Sequence, residues 1–167
     1  DIDADGNPDL AGGGRILFGT GDCRFARESP GPPAASYADV NEDGLPDSLS
    51  YQSSPRQMTV QFGNGDGTFR AGPVTAIPLG TFPQIYPDLT GDGHVDAVMG
   101  WRQLAFGLPP SVSGGTFVIP SDGAGHFDFN RAALLYSDIR FPSVADLNGD
   151  GKLDLHHTGE FDNSGFL

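Results

Sequence analysis

One nine-residue pattern occurs four times in the chain and constrains its fold more than any other feature. Each copy reads D-x-[D/N/T]-x-D-G-x-x-D, so five positions carry a restricted choice of residue. Ordinary turns are also rich in Asp, Asn and Gly, but turn composition alone does not explain four copies of one spacing. The copies, loops 1 to 4 below, are DIDADGNPD at 1–9, DVNEDGLPD at 39–47, DLTGDGHVD at 88–96 and DLNGDGKLD at 146–154.

The spacing of the pattern suits a hard divalent cation such as Ca²⁺. This ion takes about six to eight oxygen ligands, and alternate side chains of a tightly curled loop can all point inward. We predict four calcium sites in which positions 1, 3, 5 and 9 supply side-chain oxygens and position 7 its backbone carbonyl. Glycine at position 6 permits a sharp turn with positive φ, and the apolar position 2 anchors the loop to a core. The predicted ligands are Asp1, Asp3, Asp5, Asn7, Asp9, Asp39, Asn41, Asp43, Leu45, Asp47, Asp88, Thr90, Asp92, His94, Asp96, Asp146, Asn148, Asp150, Lys152 and Asp154.

An EF-hand is the closest alternative for such a loop, and the sequence argues against it. That motif requires a bidentate glutamate at position 12 and a helix on either side. The residues at position 12 of the four copies are not carboxylates: Gly12, Ser50, Met99 and His157. The segments 96–101 and 153–155 look instead like strands, because their apolar residues do not follow the helical period.

The charge of the chain favours cation binding and excludes one class of partner. The 167 residues have a formal net charge of −13, with 22 acidic residues against nine lysines and arginines. Thirteen aspartates lie within the four loops, where their carboxylates repel one another unless cations are bound. Loop 1 should be the most charged, and Thr90 should make loop 3 the weakest site. So few basic residues cannot form a basic surface, and we predict no nucleic-acid partner.

The sequence also indicates where such a protein functions. Sites of extracellular type bind Ca²⁺ at about 10⁻⁴–10⁻³ M or somewhat tighter and would be empty in cytosol, so we predict a secreted or cell-surface protein. No apolar stretch reaches about 18 residues, so no membrane span is predicted. Cys23 is the only cysteine, which excludes an internal disulfide. We expect a buried or inert thiol there, with an intermolecular bridge as the alternative.

A second pattern alternates with the loops and predicts hairpins. Residues 18–25 read FGTGDCRF, residues 62–69 read FGNGDGTF and residues 120–127 read PSDGAGHF. Each predicts the end of a strand, a glycine-rich turn and an aromatic residue that opens the next strand. The strand before the second copy alternates, which places Met58, Val60 and Phe62 on one face.

These two elements cover nearly the whole chain, and together they resemble the FG-GAP/VCBS repeat family. That family includes the propellers of integrin alpha subunits and of some secreted lectins. The resemblance implies an all-β fold in which each repeat is a four-stranded β-propeller blade with its calcium loop at a blade edge. We expect one domain over residues 1–167, with repeats at about 1–38, 39–87, 88–145 and a partial one at 146–167.

Three repeats and a part are too few for an ordinary propeller, which closes with about four to eight blades. An open arrangement would leave exposed sheet edges, which proteins normally cover. We therefore expect either further blades from a longer chain or self-association.

Three functions stay open on the sequence alone. The first is a non-catalytic extracellular recognition or adhesion module, lectin-like or protein-binding, whose partner is a glycan or an extracellular protein. The second is a structural subunit of a cell-surface or extracellular assembly, and the third is an accessory domain of a secreted enzyme. We predict no enzymatic activity in this segment, because it has no nucleophile elbow or phosphate-cradling loop. His156 and His157 are adjacent in a predicted strand, so their rings point to opposite faces and cannot chelate together.

Overall fold

The computed structural model describes residues 1–33, 35–77, 84–86, 88–102, 114–136 and 143–156. Over these residues the chain is all-β, as predicted. Thirteen strands and one short 3₁₀ helix are described, and none of the antiparallel sheets that the strands form closes on itself. The strands predicted at 96–101 and 153–155 are confirmed as β9 (Asp96–Arg102) and β13 (Asp154–His156), the latter beginning and ending one residue later.

The first sheet follows loop 1 and has three strands in the order β1-β2-β3. These are β1 (Leu10–Gly12), β2 (Arg15–Gly19) and β3 (Phe25–Pro30). The turn between β1 and β2 consists of two glycines with positive φ, as a tight hairpin requires. Along β2, Ile16 and Phe18 are buried while Arg15 is exposed, which is the alternation of a strand with one covered face.

The second sheet contains loop 2 and has four strands in the order β4-β5-β6-β7. Its strands are β4 (Ala35–Ala38), β5 (Asp47–Ser53), β6 (Arg56–Gly63) and β7 (Phe69–Ala76). Loop 2 connects β4 to β5. The face predicted for β6 is confirmed, because Met58 and Val60 are buried and Phe62 packs against the same apolar core.

The third sheet is built in the same way around loop 3. Its strands are β8 (Gln84–Tyr86), β9, β10 (Gly114–Ile119) and β11 (Ala133–Tyr136), in the order β11-β10-β9-β8. Two further strands, β12 (Ser143–Ala145) and β13, pair with each other on either side of loop 4. Loops 2, 3 and 4 therefore each connect two neighbouring antiparallel strands, and strands rather than helices flank them.

Neighbouring sheets pack on each other in chain order. A smaller core lies between the first and second sheets, where Ile2, Ile16 and Phe18 meet Tyr37 and Phe69. A larger core joins the second and third sheets, and its buried residues are Val40, Leu49, Met58, Val60, Ile77, Ala97, Met99, Phe117, Ile119 and Phe127. Burying a large apolar side chain contributes about 1.5–3 kcal/mol, so these two interfaces stabilise the fold.

Each interface also seats an aromatic ring on a hairpin turn of the next sheet. A Cβ atom added to Gly67 would lie 2.4 Å from Cζ of Phe18, and one added to Gly125 would lie 3.1 Å from Cε1 of Phe62. Both glycines also have positive φ, 84° and 86°. The rings of the first and second sheets thus fill the space that a side chain would take in the following sheet, which explains why the turns carry glycine there.

Two expectations about the turns are wrong. Phe127 does not open a strand, because it forms an isolated bridge and the chain then enters the 3₁₀ helix Phe129–Arg131. Asp128 starts that helix by accepting the N–H of Asn130 at 2.9 Å. Cys23 is exposed rather than buried, in a turn with φ 63°, because no core among the described residues covers its side of the first sheet.

The apolar residue at position 2 anchors some loops and not others. Ile2 and Val40 are buried in the two cores, as predicted, and Leu89 is half-buried. Leu147 is 64% exposed, so the anchor predicted for loop 4 is wrong. Leu147 belongs to neither of the two apolar cores that the described residues form.

Candidate metal centre

The first aspartate of each loop closes that loop through backbone hydrogen bonds. Its Oδ1 accepts the N–H of position 5 at 3.1–3.2 Å, and its Oδ2 accepts the N–H of position 6 at 2.8–2.9 Å. The position-6 glycines have φ between 82° and 92°, so the predicted turn geometry is confirmed. These bonds, that of Gly151 foremost, hold the pKa of Asp146 below its usual value. The four closing residues are Asp1, Asp39, Asp88 and Asp146.

The aspartate at position 5 is also engaged within its own loop. Its Oδ1 accepts the N–H of position 7 at 2.8–3.1 Å in all four loops. This local bond forms an Asx turn in each loop, and aspartate forms such turns readily without any ligand. The residues concerned are Asp5, Asp43, Asp92 and Asp150.

The aspartate at position 9 ties its loop to the sheet. Oδ2 of Asp47 accepts the N–H of Val40 at 3.0 Å, while Oδ1 accepts the N–H of Gly63 at 2.9 Å. Asp9 does the same with Ile2 at 2.6 Å and Gly19 at 2.9 Å. In loops 3 and 4, position 9 also accepts the N–H of position 2, at 2.7 and 2.9 Å. The motif predicts a ligand here, and sequence reasoning missed this second role.

Burial makes the position-9 carboxylates of loops 2 and 3 unusual. Asp47 and Asp96 have no exposed surface. Burial raises the pKa of both groups, and neighbouring loop carboxylates raise it further, although backbone N–H donors act in the opposite direction. Desolvation also opposes ionisation of Asp9, but hydrogen bonds from Ile2 and Gly19 outweigh it, so the pKa of Asp9 is lowered. A nearby cation would favour the ionised form of all three.

The residue at position 7 contacts the hairpin turn of its own sheet. A Cβ atom on Gly21 would lie 2.5 Å from Oδ1 of Asn7, and one on Gly65 would lie 3.0 Å from Cδ2 of Leu45. His94 stands in the same relation to the turn at Gly123, at 2.6 Å from its Nδ1. The prediction gave position 7 a backbone role only. The glycine spaced two residues beyond each Phe-Gly or equivalent pair is the sequence signal for this side-chain contact.

Loop 1 is the place where the structure brings predicted ligands together. Asp1, Asp3 and Asp9 each offer a carboxylate oxygen within 4.8 Å of the others, and Asp5 is not part of this group. Loops 2, 3 and 4 carry Asn41, Thr90 and Asn148 at position 3, so they hold fewer carboxylates to converge.

Among the described residues, two loop carboxylates have a solvent-shielded oxygen with no hydrogen-bond partner. These are Oδ1 of Asp3 and Oδ1 of Asp96, both shielded from solvent. A buried polar atom without a partner costs free energy, and an anionic oxygen costs more than a neutral one. Hard oxygen donors of this kind fit Ca²⁺. Loop 1 therefore combines converging carboxylates with an unsatisfied oxygen, and residues Asp1, Asp3 and Asp9 would hold the ion there.

Three basic side chains lie against the loops. Arg27 Nη2 is 3.0 Å from Oδ2 of Asp3, and Arg70 Nη2 is 3.6 Å from Oδ2 of Asp43. His94 of loop 3 contacts Glu42 of loop 2, and this hydrogen bond raises the pKa of His94. The last contact joins two loops that are far apart in sequence.

The chain's own geometry is what supports this site. Comparisons with protein-family models, with curated proteins and with solved structures find no match for the chain. The resemblance to FG-GAP/VCBS repeats therefore stays a prediction. Among the described residues, no helix combines the length and the apolar character needed to cross a lipid bilayer.

Proposed function

We propose that this chain is a non-catalytic, calcium-binding recognition module that works outside the cell, with sheets arranged as blades of a β-propeller. The observation that carries the proposal is loop 1, where carboxylates of Asp1, Asp3 and Asp9 converge and Oδ1 of Asp3 has no protein partner. The same backbone bonds close all four loops, so we extend the assignment to loops 2, 3 and 4.

Calcium has a structural role in this proposal. The loops concentrate acidic side chains on a chain with a formal charge of −13, and each bound Ca²⁺ would remove two units of that charge. Neutralisation relieves repulsion between carboxylates that the backbone bonds hold close together. The stabilised sheets then present connecting loops to a glycan or an extracellular protein.

Thermal unfolding with Ca²⁺ and with a chelator tests the metal assignment. A ligand at 100 times its Kd stabilises the folded state by about 2.7 kcal/mol per site, so several filled sites would raise the Tm strongly. Mg²⁺ at the same concentration should have a smaller effect, because it prefers a rigid octahedral shell and dehydrates reluctantly. An identical Tm in CaCl₂ and EDTA would refute the proposal.

Asp3→Ala is the variant that isolates loop 1, because among the described residues the Asp3 carboxylate bonds only the Arg27 side chain and takes no part in closing the loop. Alanine is chosen because asparagine at this position is a predicted ligand in loops 2 and 4. We expect it to lose about one site's share of the calcium stabilisation. Asp66→Ala is the matched control, since Asp66 is an exposed turn aspartate outside the four loops. If both variants keep the full calcium response, loop 1 is not a site. A separate test addresses the recognition role: glycan-array binding that a chelator abolishes would support it.

A second candidate function is a structural subunit of an extracellular assembly. The first sheet carries two large apolar side chains, Leu10 and Phe25, which are 58% and 49% exposed. Phe25 starts β3, whereas Phe69 starts β7 and packs against the first sheet. Sedimentation of the native chain over a range of concentrations separates the two functions. Concentration-dependent association that Leu10→Ser weakens would favour assembly.

A further inference from the structure

The first and second sheets each stack an arginine on the aromatic ring of the Phe-Gly pair. Cζ of Arg27 lies 3.6 Å from the ring centroid of Phe18, and Cζ of Arg70 lies 5.0 Å from that of Phe62. A guanidinium over an aromatic face within about 6 Å is attracted by the ring's quadrupole. Each ring therefore helps to fix the position of its arginine.

Each arginine also pairs with a predicted ligand of the loop in its own sheet. Arg27 binds Oδ2 of Asp3, a side chain that is only 14% exposed, and leaves Oδ1 of the same carboxylate without a partner. Arg70 contacts Oδ2 of Asp43 and donates to the carbonyl of Gly63 at 2.9 Å. The pair with Arg27 thus leaves Asp3 one unengaged oxygen, whereas Oδ1 of Asp43 also accepts the N–H of Leu45.

Each phenylalanine ring that stacks on an arginine also contacts a glycine of the next sheet. Phe18 sits on Gly67 in the turn of the second sheet, and Phe62 sits on Gly125 in the turn of the third. One sequence of contacts thus occurs twice: loop aspartate, arginine, phenylalanine and the glycine of the following sheet. The arginine is the second residue after Phe25 in one case and the first after Phe69 in the other, so no fixed spacing in the sequence produces it.

We propose that Arg27 and Arg70 are positioning residues that orient a loop carboxylate for cation binding and couple that binding to packing against the next sheet. This inference rests on the calcium binding proposed above. Groups that orient metal ligands from outside the coordination shell typically change metal affinity by about 10–100-fold. The positive charge of a half-exposed arginine acts in the opposite direction, but screening limits that effect to about threefold. We therefore expect the orienting effect of each arginine on metal affinity to exceed the repulsion between its charge and the cation.

The test follows Ca²⁺ titration of the full chain by NMR, using one amide for each loop. The N–H groups of Gly6, Gly44, Gly93 and Gly151 each bond the closing aspartate of their loop, so their chemical shifts report the four sites separately. We expect Arg27→Ala to raise the midpoint at Gly6 about tenfold and to change the other midpoints less than twofold. Arg70→Ala should act in the same way at Gly44 alone.

Two further variants separate orientation from charge and from general destabilisation. Arg27→Lys keeps the charge but loses the planar guanidinium, so it should weaken the site of loop 1 as Arg27→Ala does. Arg15→Ala is the matched control, because Arg15 belongs to the same sheet and pairs with Glu28 outside the loops, 2.7 Å away. Loop 3 is an internal control, since no arginine pairs with its carboxylates among the described residues.

Hydrogen exchange measures the coupling to the next sheet. The N–H of Asn64 bonds the carbonyl of Thr68 at 3.0 Å within the turn that Phe18 covers. We expect Ca²⁺ to slow exchange at Asn64 in the parent chain about tenfold or more, and to have little effect in Arg27→Ala even at saturating Ca²⁺.

The outcomes distinguish this inference from the proposal on which it rests. If the four glycine amides of the parent chain do not respond to Ca²⁺ up to 10 mM, about ten times the weakest expected Kd, both proposals fail. If they respond but Arg27→Ala and Arg70→Ala leave the midpoints at Gly6 and Gly44 unchanged, calcium binding stands and the positioning role is refuted. Lysine variants that bind as tightly as the parent would show that the planar guanidinium is not needed, which refutes its orienting role.

Discussion

Replacing Gly67 with alanine tests the packing of the first sheet on the second. Gly67 has φ 84°, and an added Cβ would lie 2.4 Å from Cζ of Phe18. The left-handed conformation costs a residue with a side chain about 1–2 kcal/mol, and overpacking against the ring adds about 1–3 kcal/mol. Gly44→Ala is the matched control, because Gly44 has the same φ of 84° and nothing within 4 Å of the added atom. We expect a loss of stability of about 2–5 kcal/mol for Gly67→Ala and about 1–2 kcal/mol for Gly44→Ala.

Urea denaturation in EDTA, followed by circular dichroism, measures both losses without a contribution from bound metal. The excess destabilisation of Gly67→Ala should shrink when Phe18→Leu removes the ring, which gives a coupling of about 1 kcal/mol or more in a double-mutant cycle. Equal losses for Gly67→Ala and Gly44→Ala would show that Phe18 does not fill the space above the turn. The ordered packing of the first two sheets would then be refuted.

Two further predictions concern the buried aspartates. Asp47→Ala should destabilise the metal-free chain by about 2–5 kcal/mol in the same denaturation assay, because the N–H groups of Val40 and Gly63 lose their acceptor. Since burial raises the pKa of Asp47 and Asp96, these two carboxyls bind more protons in the folded state than in the unfolded state above about pH 4. Metal-free stability should therefore fall as pH rises from about 5 to 6, which is below the range in which His94 titrates and above the range in which carboxyls of lowered pKa, such as those of Asp9 and Asp146, bind protons. Asp47→Asn should flatten this slope, and a slope of opposite sign would contradict the reasoning.

The local part of this structure could be predicted from the sequence. Position-6 glycines are needed wherever the backbone turns with positive φ, and the structure has φ 89° at Gly6 and 84° at Gly44. The alternation of Met58, Val60 and Phe62 fixes one face of β6, because successive side chains of a strand point to opposite sides. Both features depend on residues within a few positions of each other, which is why the pattern alone reveals them.

The features that sequence reasoning missed are non-local. Gly63 bonds Asp47 from sixteen residues away, and no local pattern names that partner. Cys23 is exposed although unpaired cysteines are usually buried, because burial depends on whether a neighbouring sheet covers the turn. Arg27 and Arg70 reach their loops at different spacings from the preceding phenylalanine, so a search for a repeated pattern does not find them.

One hydrogen bond explains why the two sequence patterns alternate. Asp9 accepts the N–H of Gly19, which lies ten residues further along the chain, and the hairpin between them has three residue pairs. Asp47 accepts the N–H of Gly63, which lies sixteen residues further along the chain, and the hairpin between them has six residue pairs. Each added residue pair lengthens the sequence separation between the loop aspartate and the Phe-Gly glycine by two residues. The two residues therefore keep the same register relative to each other whatever the length of the hairpin.

The third sheet has the same register, but Oδ1 of its loop aspartate, Asp96, has no hydrogen-bond partner. Ala97 pairs with Ile119 as Ser48 pairs with Gln61, so Ser121 has the same register relative to Asp96 as Gly63 has relative to Asp47. Oδ1 of Asp96 and Oγ of Ser121 are both buried without a hydrogen-bond partner. Both oxygens of Asp47 are engaged, whereas the buried carboxylate of Asp96 has one oxygen without a hydrogen-bond partner. In the calcium site proposed for loop 3, neutral Thr90 would lower the charge and an unengaged oxygen of Asp96 could add a ligand, so the two effects would oppose each other in setting the affinity.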